Sequence, residues 1–487
     1  MAELDAASSA PAAEGAPAPD ARRVWLPLLG VVALLLLVQA SYGLCTQDDA
    51  YISFRYALNL ADGHGLVFNP GERVEGYTNF LWTVLFTPFI ALGLDPAPIS
   101  ISLGMLSCAA LLWATWEAAD RQWLAPALVA SFAGLSLEGV QGLETAFFAF
   151  CGVMAVRGGR RWALWAGVAA LTRPEGYAIF GVLWLLRRRP VDIAWFALLT
   201  VPHLAFRVGY YGDIVPNTFH AKVGDPSRLV GSAAERGLRY LGAVALTCLP
   251  LVVAWVVLTA RRVSERATRP LVAVERDALA LTAFYLTYVV AVGGDFKGTG
   301  RFFIPFLPLM AILVARSLPP RPQWLPGVLA LAAVAAAVPS FRDMSFFAER
   351  FAQELQTRQM AGEALRQATP PDTMIAVHAA GVLPYYAQRP TLDMWGLNDA
   401  HIARAEVDNF GEGTAGHERH DYAYVLSRQP DLILPENGLV TEGPVLLSEP
   451  PEFGGGFYEV YEAVSLPLSD GRMMNLWRRR EGAAGGR

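Results

Sequence analysis

Asp48 and Asp49 stand side by side directly after the first long apolar run, in TQDDAYISFRYALNLADGHGLVFNPGERVEGYTN. Adjacent carboxylates raise each other's cost of ionisation, and charge at membrane depth is seldom kept for stability alone. One Asp is enough to cap a helix starting near Ala50; the second leaves a carboxylate over. Such a group at a membrane–water boundary is suited to take a proton from a nucleophile. Arg55 follows on the same predicted helix and can serve substrate or structure.

Further charged loops recur along the chain. Glu144 lies in GLET, Arg173 and Glu175 in TRPEG, and His220 and Lys222 in PNTFHAK. Asp295, Lys297 and Arg301 lie in GGDFKGTGR, and Asp393, Trp395 and Asp399 in LDMWGLND. Each has a plainer reading. Arg173 can pair with Glu175, Glu144 can cap the helix after it, and His220 and Lys222 can snorkel at an interface. Taken together, carboxylates beside cations suit a reaction in which a base takes a proton and an anion departs.

Composition says what must position them. The chain has 487 residues, 54% of them hydrophobic and 17% charged, with a mean hydropathy of +0.33, which is too apolar for an ordinary soluble protein. The net charge of −5 gives no reason to expect a nucleic-acid partner. Cys45, Cys108, Cys151 and Cys248 are far apart, with neither disulfide nor metal-knuckle spacing. Residues 1–22 read as a disordered cytoplasmic tail. Trp25 to Cys45 reads as an uncleaved first span with a cytoplasmic N-terminus. Apolar runs follow near 80–94, 98–118, 123–137, 143–156, 161–172, 176–186, 191–206, 239–260, 277–293, 302–317 and 324–339. Arg121, Arg157 to Arg161, Arg187 to Arg189, Arg261 to Arg269, Arg316 and Arg321 fall on the cytoplasmic side by the positive-inside rule.

Parity then demands an odd number of crossings between the Asp pair and Arg121. Phe80–Leu92 is therefore expected to lie flat in the outer interface, with Trp82 as its anchor. Eleven transmembrane helices result. The fold class is a polytopic α-helical membrane protein, the membrane domain covering 23–340 with a first outer loop at 46–97. Residues 341–487 read as a small extracytoplasmic α/β domain, with an amphipathic helix at 345–368 and strands at Thr373–His378, Leu432–Leu434 and Tyr458–Ala463. The segment 392–399 reads as too polar for a core strand. A multi-span transporter or a sensor with an outer ligand-binding domain are the rival classes. The first lacks visible paired halves, and the second does not need so many spans.

The string DDAYISFRYALNLADGHGLVFNPGERVEGYTNFLWT resembles the N-terminal signature of the GT-C superfamily of polyprenyl-phosphate-dependent glycosyltransferases. GLET, TRPEGY, YYGDIVPNTFHAK, GGDFKGTGRFFIP, DMWGLNDAHIAR and GHE are similar, in order, to later blocks of the group of bacterial cell-wall terminal β-(1→2) arabinofuranosyltransferases. The resemblance implies an inverting transfer of a sugar from a polyprenyl-phosphate donor to a glycan or lipid acceptor, at the outer face of the cytoplasmic membrane. By the same resemblance, Asp48 or Asp49 is the base. Arg173, His220, Lys222, Lys297 and Arg301 become candidates for the donor phosphate. Arg55, Glu144, Glu175, Asp295, Asp393, Trp395 and Asp399 become candidates for substrate. Some GT-C enzymes use a divalent cation; the spacing of acidic residues here does not demand one, and no metal ligand is assigned. The group carries a larger C-terminal region, so an extended polysaccharide-binding module is not expected, and sugar and acceptor stay open.

Overall fold

A computed structural model describes residues 21–482 except 223–225, 296, 408–409, 411–416, 437–438, 446 and 449, and without the side chains of 21–24 and 226–232. The expected tail thus lies almost wholly outside the described residues. Helix α1 (Ala21–Ser41) leads into α2 (Asp48–Ala61) and α3 (Phe80–Ala91). Then come α4 (Pro96–Ala118), α5 (Leu124–Ala130), α6 (Ala133–Glu138), α7 (Thr145–Arg157), α8 (Trp162–Thr172), α9 (Glu175–Arg187) and α10 (Pro190–Tyr211). The helical part closes with α11 (Asn217–Lys222), α12 (Pro226–Thr247), α13 (Leu249–Ser264), α14 (Ala273–Val292), α15 (Leu307–Ser317) and α16 (Leu325–Ala368).

Local chemistry sets several ends. Asp95 caps α4, its Oδ1 accepting from Ala97 N at 2.9 Å, with Pro96 supplying a first-turn residue that has no N–H to satisfy. The run 239–260, expected as one span, is broken: α12 and α13 meet at a 101° bend. Pro250 stands in the first turn of α13, where its ring disfavours a helical residue before it. The run 123–137 is likewise split at the extended Phe132. Among the described residues three helices are long and apolar enough to cross a bilayer, or four if the bent pair counts as one. Helices α7, α8 and α9, of 13, 11 and 13 residues, extend only about 16–20 Å. Eleven spans therefore stay a reading of the sequence. Trp82 is no lipid anchor. It is buried, donates Nε1–H to Gly142 O at 2.9 Å, and packs on Phe86 and Phe147.

Helix α16 runs unbroken through Ser340 for 44 residues, about 66 Å, joining the apolar helices to a six-stranded sheet. Strands β1 (Ile375–Val377), β2 (Thr391–Asp393), β3 (Leu432–Ile433), β4 (Val440–Thr441), β5 (Tyr461–Pro467) and β6 (Met473–Arg479) form it. Their order is β2-β1-β3-β6-β4, with β5 also on β6. Strands β1, β2 and β3 pair in parallel, and every pair involving β6 is antiparallel. Contrary to expectation, Thr391–Asp393 is a buried strand. Helices α17 (Val382–Ala387), α18 (Tyr422–Ser427) and α19 (Phe457–Val460) flank the sheet. Ile52, Tyr56, Phe68 and Tyr77 of the first loop share one hydrophobic core with Leu365, Ile375, Val377, Leu432 and Leu476. The sheet region is thereby built onto α2.

Candidate active site

Asp48 and Asp49 are the first two residues of α2, where the helix dipole favours negative charge. Their side chains diverge. Asp48 accepts from Gly381 N (3.0 Å) and Val382 N (2.9 Å) at the start of α17, and pairs with Arg358 Nη1 at 2.7 Å. A Cβ on Gly381 would meet Asp48 O at 1.9 Å, so only glycine permits this approach. Asp48 is therefore a clamp between α2, α16 and α17, with its oxygens taken.

Asp49 turns the other way. Its side chain is 45% exposed, with Lys297 Nζ at 2.7 Å and Arg301 Nη1 at 3.7 Å from Oδ2. Burial pushes the Asp49 carboxyl up, but Lys297, Arg301 and Lys222 outweigh it and hold it well below the ordinary carboxylate range. The cations come from a loop pinned by its own residues. Gly293 and Gly294 adopt left-handed φ of +82° and +75°. Thr299 Oγ1 donates to the buried Glu138 at 2.6 Å. A Cβ on Gly134 would lie 1.9 Å from Thr299 O, so the loop backbone packs directly on α6. Asp295 holds Arg301 Nε at 3.0 Å, and Lys297 also donates to Gln47 Oε1. Asp295 thus positions a cation.

The other candidates sort differently. Arg173 is flanked by Glu144 (3.0 Å) and Glu175 (2.8 Å), and Asn79 donates to Glu144 at 2.9 Å. Two carboxylates already neutralise this guanidinium, so the expectation that Arg173 anchors phosphate is corrected, and Glu144 and Glu175 are its partners. All five N–H groups of Arg55 are taken, by Phe68 O, Pro384 O, Thr391 Oγ1, Asn69 Oδ1 and Arg389 O, at 2.7–3.1 Å. Arg55 ties the first loop to the sheet and has no donor left for substrate. His220 Nε2 sits 2.9 Å from Asp213 Oδ2, which Arg404 also contacts at 2.9 Å. His220 is thus engaged, whereas Lys222, on the same short helix, adds its charge to the field at Asp49.

In the sheet region, Asp393 accepts from Trp395 N, Asn398 N and Asn398 Nδ2 at 2.9–3.0 Å. Burial pushes it up to about 6 against those bonds. Asp399 accepts from His401 N and Ile402 N, both at 2.9 Å. Both shape the loop, and the expectation that they bind substrate is corrected. Their loop presents Trp395, whose ring lies 4.1 Å from His417 and 5.4 Å from His378. Burial holds the His417 imidazole below its ordinary value, Asp49 opposing and Lys222 and Lys297 reinforcing. Asn217 fixes the loop by donating to Gly396 O, Leu397 O and Asp399 O at 2.9–3.2 Å. Sequence reasoning left Gln47, Glu138, Asn217, Arg358 and His417 without roles. His417 stood in the GHE block, and its histidine was the one available signal.

A divalent cation fits poorly. Lys297 occupies the side of Asp49 an ion would take, Asp48 points elsewhere, and among the described residues no three His, Cys, Asp or Glu side chains gather to hold a metal.

Two solved structures of ArnT from Cupriavidus metallidurans superpose on nearly the whole chain. The one bound to undecaprenyl phosphate gives a TM-score of 0.57 at 14% identity, covering 96% of this chain and 100% of that one. The apo state gives 0.55 over the same shares, also at 14% identity. The chain has the fold of ArnT. By sequence it is similar to the terminal β-(1→2)-arabinofuranosyltransferase of Corynebacterium glutamicum, with 29% identity over 56% of this chain and 48% of that protein. The Mycobacterium tuberculosis protein of the same name is 32% identical over 36% of this chain and 34% of its own length. The chain thus spans half or less of the curated relatives it matches. A domain of unknown function, DUF8728, matches residues 347–477, from within α16 to β6. The ArnT fold and the apolar helices place the protein in a membrane.

Proposed function

We propose that the protein is an inverting glycosyltransferase. It moves a sugar from a polyprenyl-phosphate donor to a cell-envelope glycan at the outer face of the cytoplasmic membrane. Its arabinofuranosyltransferase relatives favour arabinofuranose. The observation that carries the reading is Asp49, a half-exposed carboxylate facing Lys297 and Arg301 within a GT-C fold. Asp49 takes the proton of an acceptor hydroxyl as its oxygen bonds to the anomeric carbon. The bond from that carbon to the phosphate oxygen breaks, and its electron pair leaves with the lipid phosphate. One displacement inverts the centre. Lys297, Arg301 and Lys222 receive the growing phosphate charge; as they turn to it, Asp49 loses its cationic partners and becomes a stronger base. Trp395 offers an aromatic face to the sugar, beside a neutral His417.

Single Asn variants of the two aspartates, assayed for transfer from a defined polyprenyl-phosphate sugar in membranes, test this. Asp49→Asn should lose about 10²–10⁴-fold in kcat, with a lower melting temperature from the lost pairing to Lys297 and Arg301. Asp48→Asn should lose stability, about 1–3 kcal/mol, with the smaller loss of rate. Full activity in Asp49→Asn would sink the mechanism.

A further inference from the structure

A cavity of about 350 Å³ opens at the seam between α2 with its following loop and the α17–β2 segment, within the range of ligand sites. Its C-terminal boundary on α2 is Asp62, thirteen residues past Asp49, or about 20 Å along the helix axis.

Three guanidiniums line this cavity: Arg428 pairs with Glu72 at 3.5 Å and donates to the Tyr424 hydroxyl at 2.6 Å, and neither Arg55 nor Arg389 has an N–H left for an anion. Arg55 is saturated as described. Arg389 is saturated too, by Thr369 Oγ1, Ala387 O, Gln388 O, Arg366 O and Thr369 O at 2.6–3.3 Å. The charges of this wall are already met. The mouth is different. Asp62, His64 and Gln388 are exposed lining residues whose side chains make no hydrogen bond to any described residue. Tyr385 sets its ring against Tyr51 and Phe54 and leaves its hydroxyl unbonded. Glu72 faces Arg428 across the seam at 3.5 Å. Carboxylates repel an anionic ligand, and the polar mouth disfavours an apolar one. Spare acceptors and donors beside an aromatic face match a neutral, polyhydroxylated chain.

We propose that this cavity is a second carbohydrate site, holding an internal segment of the acceptor glycan while its growing end lies at Asp49. The proposal rests on the glycosyltransferase reading. It adds that acceptor length is sensed about 9–20 Å along the α2 axis from the reaction, at a seam made jointly by the first loop and the sheet region.

The test uses the full-length protein in nanodiscs, in an Asp49→Asn background to prevent turnover, with α-arabinofuranosyl disaccharide and octasaccharide as probes. Calorimetry should show the octasaccharide binding about tenfold more weakly when Asp62→Asn, His64→Ala and Gln388→Ala are combined, with disaccharide binding unmoved. In the Asp49 enzyme, the same changes should cut the octasaccharide-to-disaccharide ratio of kcat/KM about tenfold. Equal octasaccharide binding with and without the three changes overturns the proposal, as does no octasaccharide binding in the parent. Absence of any transfer by the unmodified enzyme refutes the proposed activity instead, and the binding comparison still judges the cavity.

Discussion

At the scale of single residues, the two neighbouring aspartates do different work because their surroundings differ. Asp48 meets two backbone N–H groups and Arg358, whereas Asp49 meets the cationic side chains of Lys297 and Arg301. The field of Lys297, Arg301 and Lys222 depresses Asp49 against the upward push of burial. A carboxylate depressed on folding contributes stability above its unfolded value, about 3.9, and loses that contribution as pH falls through the folded one. Its proton uptake should therefore leave no acid limb in kcat/KM between about pH 5 and 8. Lys297→Ala removes the nearest cation and leaves burial in place. Protonation of Asp49 should then move upward, and an acid limb should appear at higher pH than in the parent. A pH–rate profile of transfer checks this; a variant with a lower rate but an unshifted limb would show that Lys297 does not set the Asp49 charge.

At the scale of elements, the sequence pointed to charged loops but not to which of their side chains are engaged. The apolar runs, the arginine pattern and the collection of charged loops were legible, because hydropathy and charge are local properties of the chain. The convergence of Asp49 with Lys297 and Arg301 is real in the structure, although 248 positions separate Asp49 from Lys297. Arg55, Asp393 and Asp399 are engaged mostly by backbone groups, with Thr391, Asn69 and Asn398 side chains adding to them, all placed by the folded chain. No residue-type pattern reveals such bonds. Strand β6 escaped notice for a related reason. Its buried Asn475, bonded to Thr441 Oγ1 at 2.8 Å and Ser465 Oγ at 2.7 Å, interrupts an otherwise apolar core strand. The clamp between α2 and α17 yields a prediction of its own. Gly381→Ala puts a methyl group where Asp48 O lies, so α17 must move away from α2. The cost should be about 1–3 kcal/mol, as for other overpacked sites, seen as a lower melting temperature. Arg358→Ala removes the ion pair without a steric clash and should destabilise less. If both variants melt like the parent, the clamp has no structural role.

At the scale of the whole molecule, charge divides the helices into two ends. Arg187 pairs with Asp277 at 2.7 Å, Arg262 with Glu275 at 2.6 Å and Arg316 with Asp120 at 2.8 Å. These belong to the C-terminal ends of α9, α13 and α15 and the N-terminal end of α14. The candidate site uses the opposite ends, with Asp49 at the start of α2 and the Lys297 loop after α14. By the positive-inside rule the arginine-rich end is expected in the cytoplasm, and we propose that Asp49 and the sheet region lie on the outer side. The short α3 lies on the site side, and its 12 residues reach only about 18 Å, too little to cross a hydrocarbon core of about 30 Å. All four cysteines are buried, so introduced thiols can be read against a low background. Ser469→Cys in the sheet region and Leu92→Cys after α3 should react with a membrane-impermeant maleimide on intact cells. Thr268→Cys, in the arginine-rich turn after α13, should react only after permeabilisation. The reverse pattern would turn the molecule over and place the aspartate site in the cytoplasm, whereas protection of Leu92 alone would make α3 a crossing segment and change the parity of every helix after it.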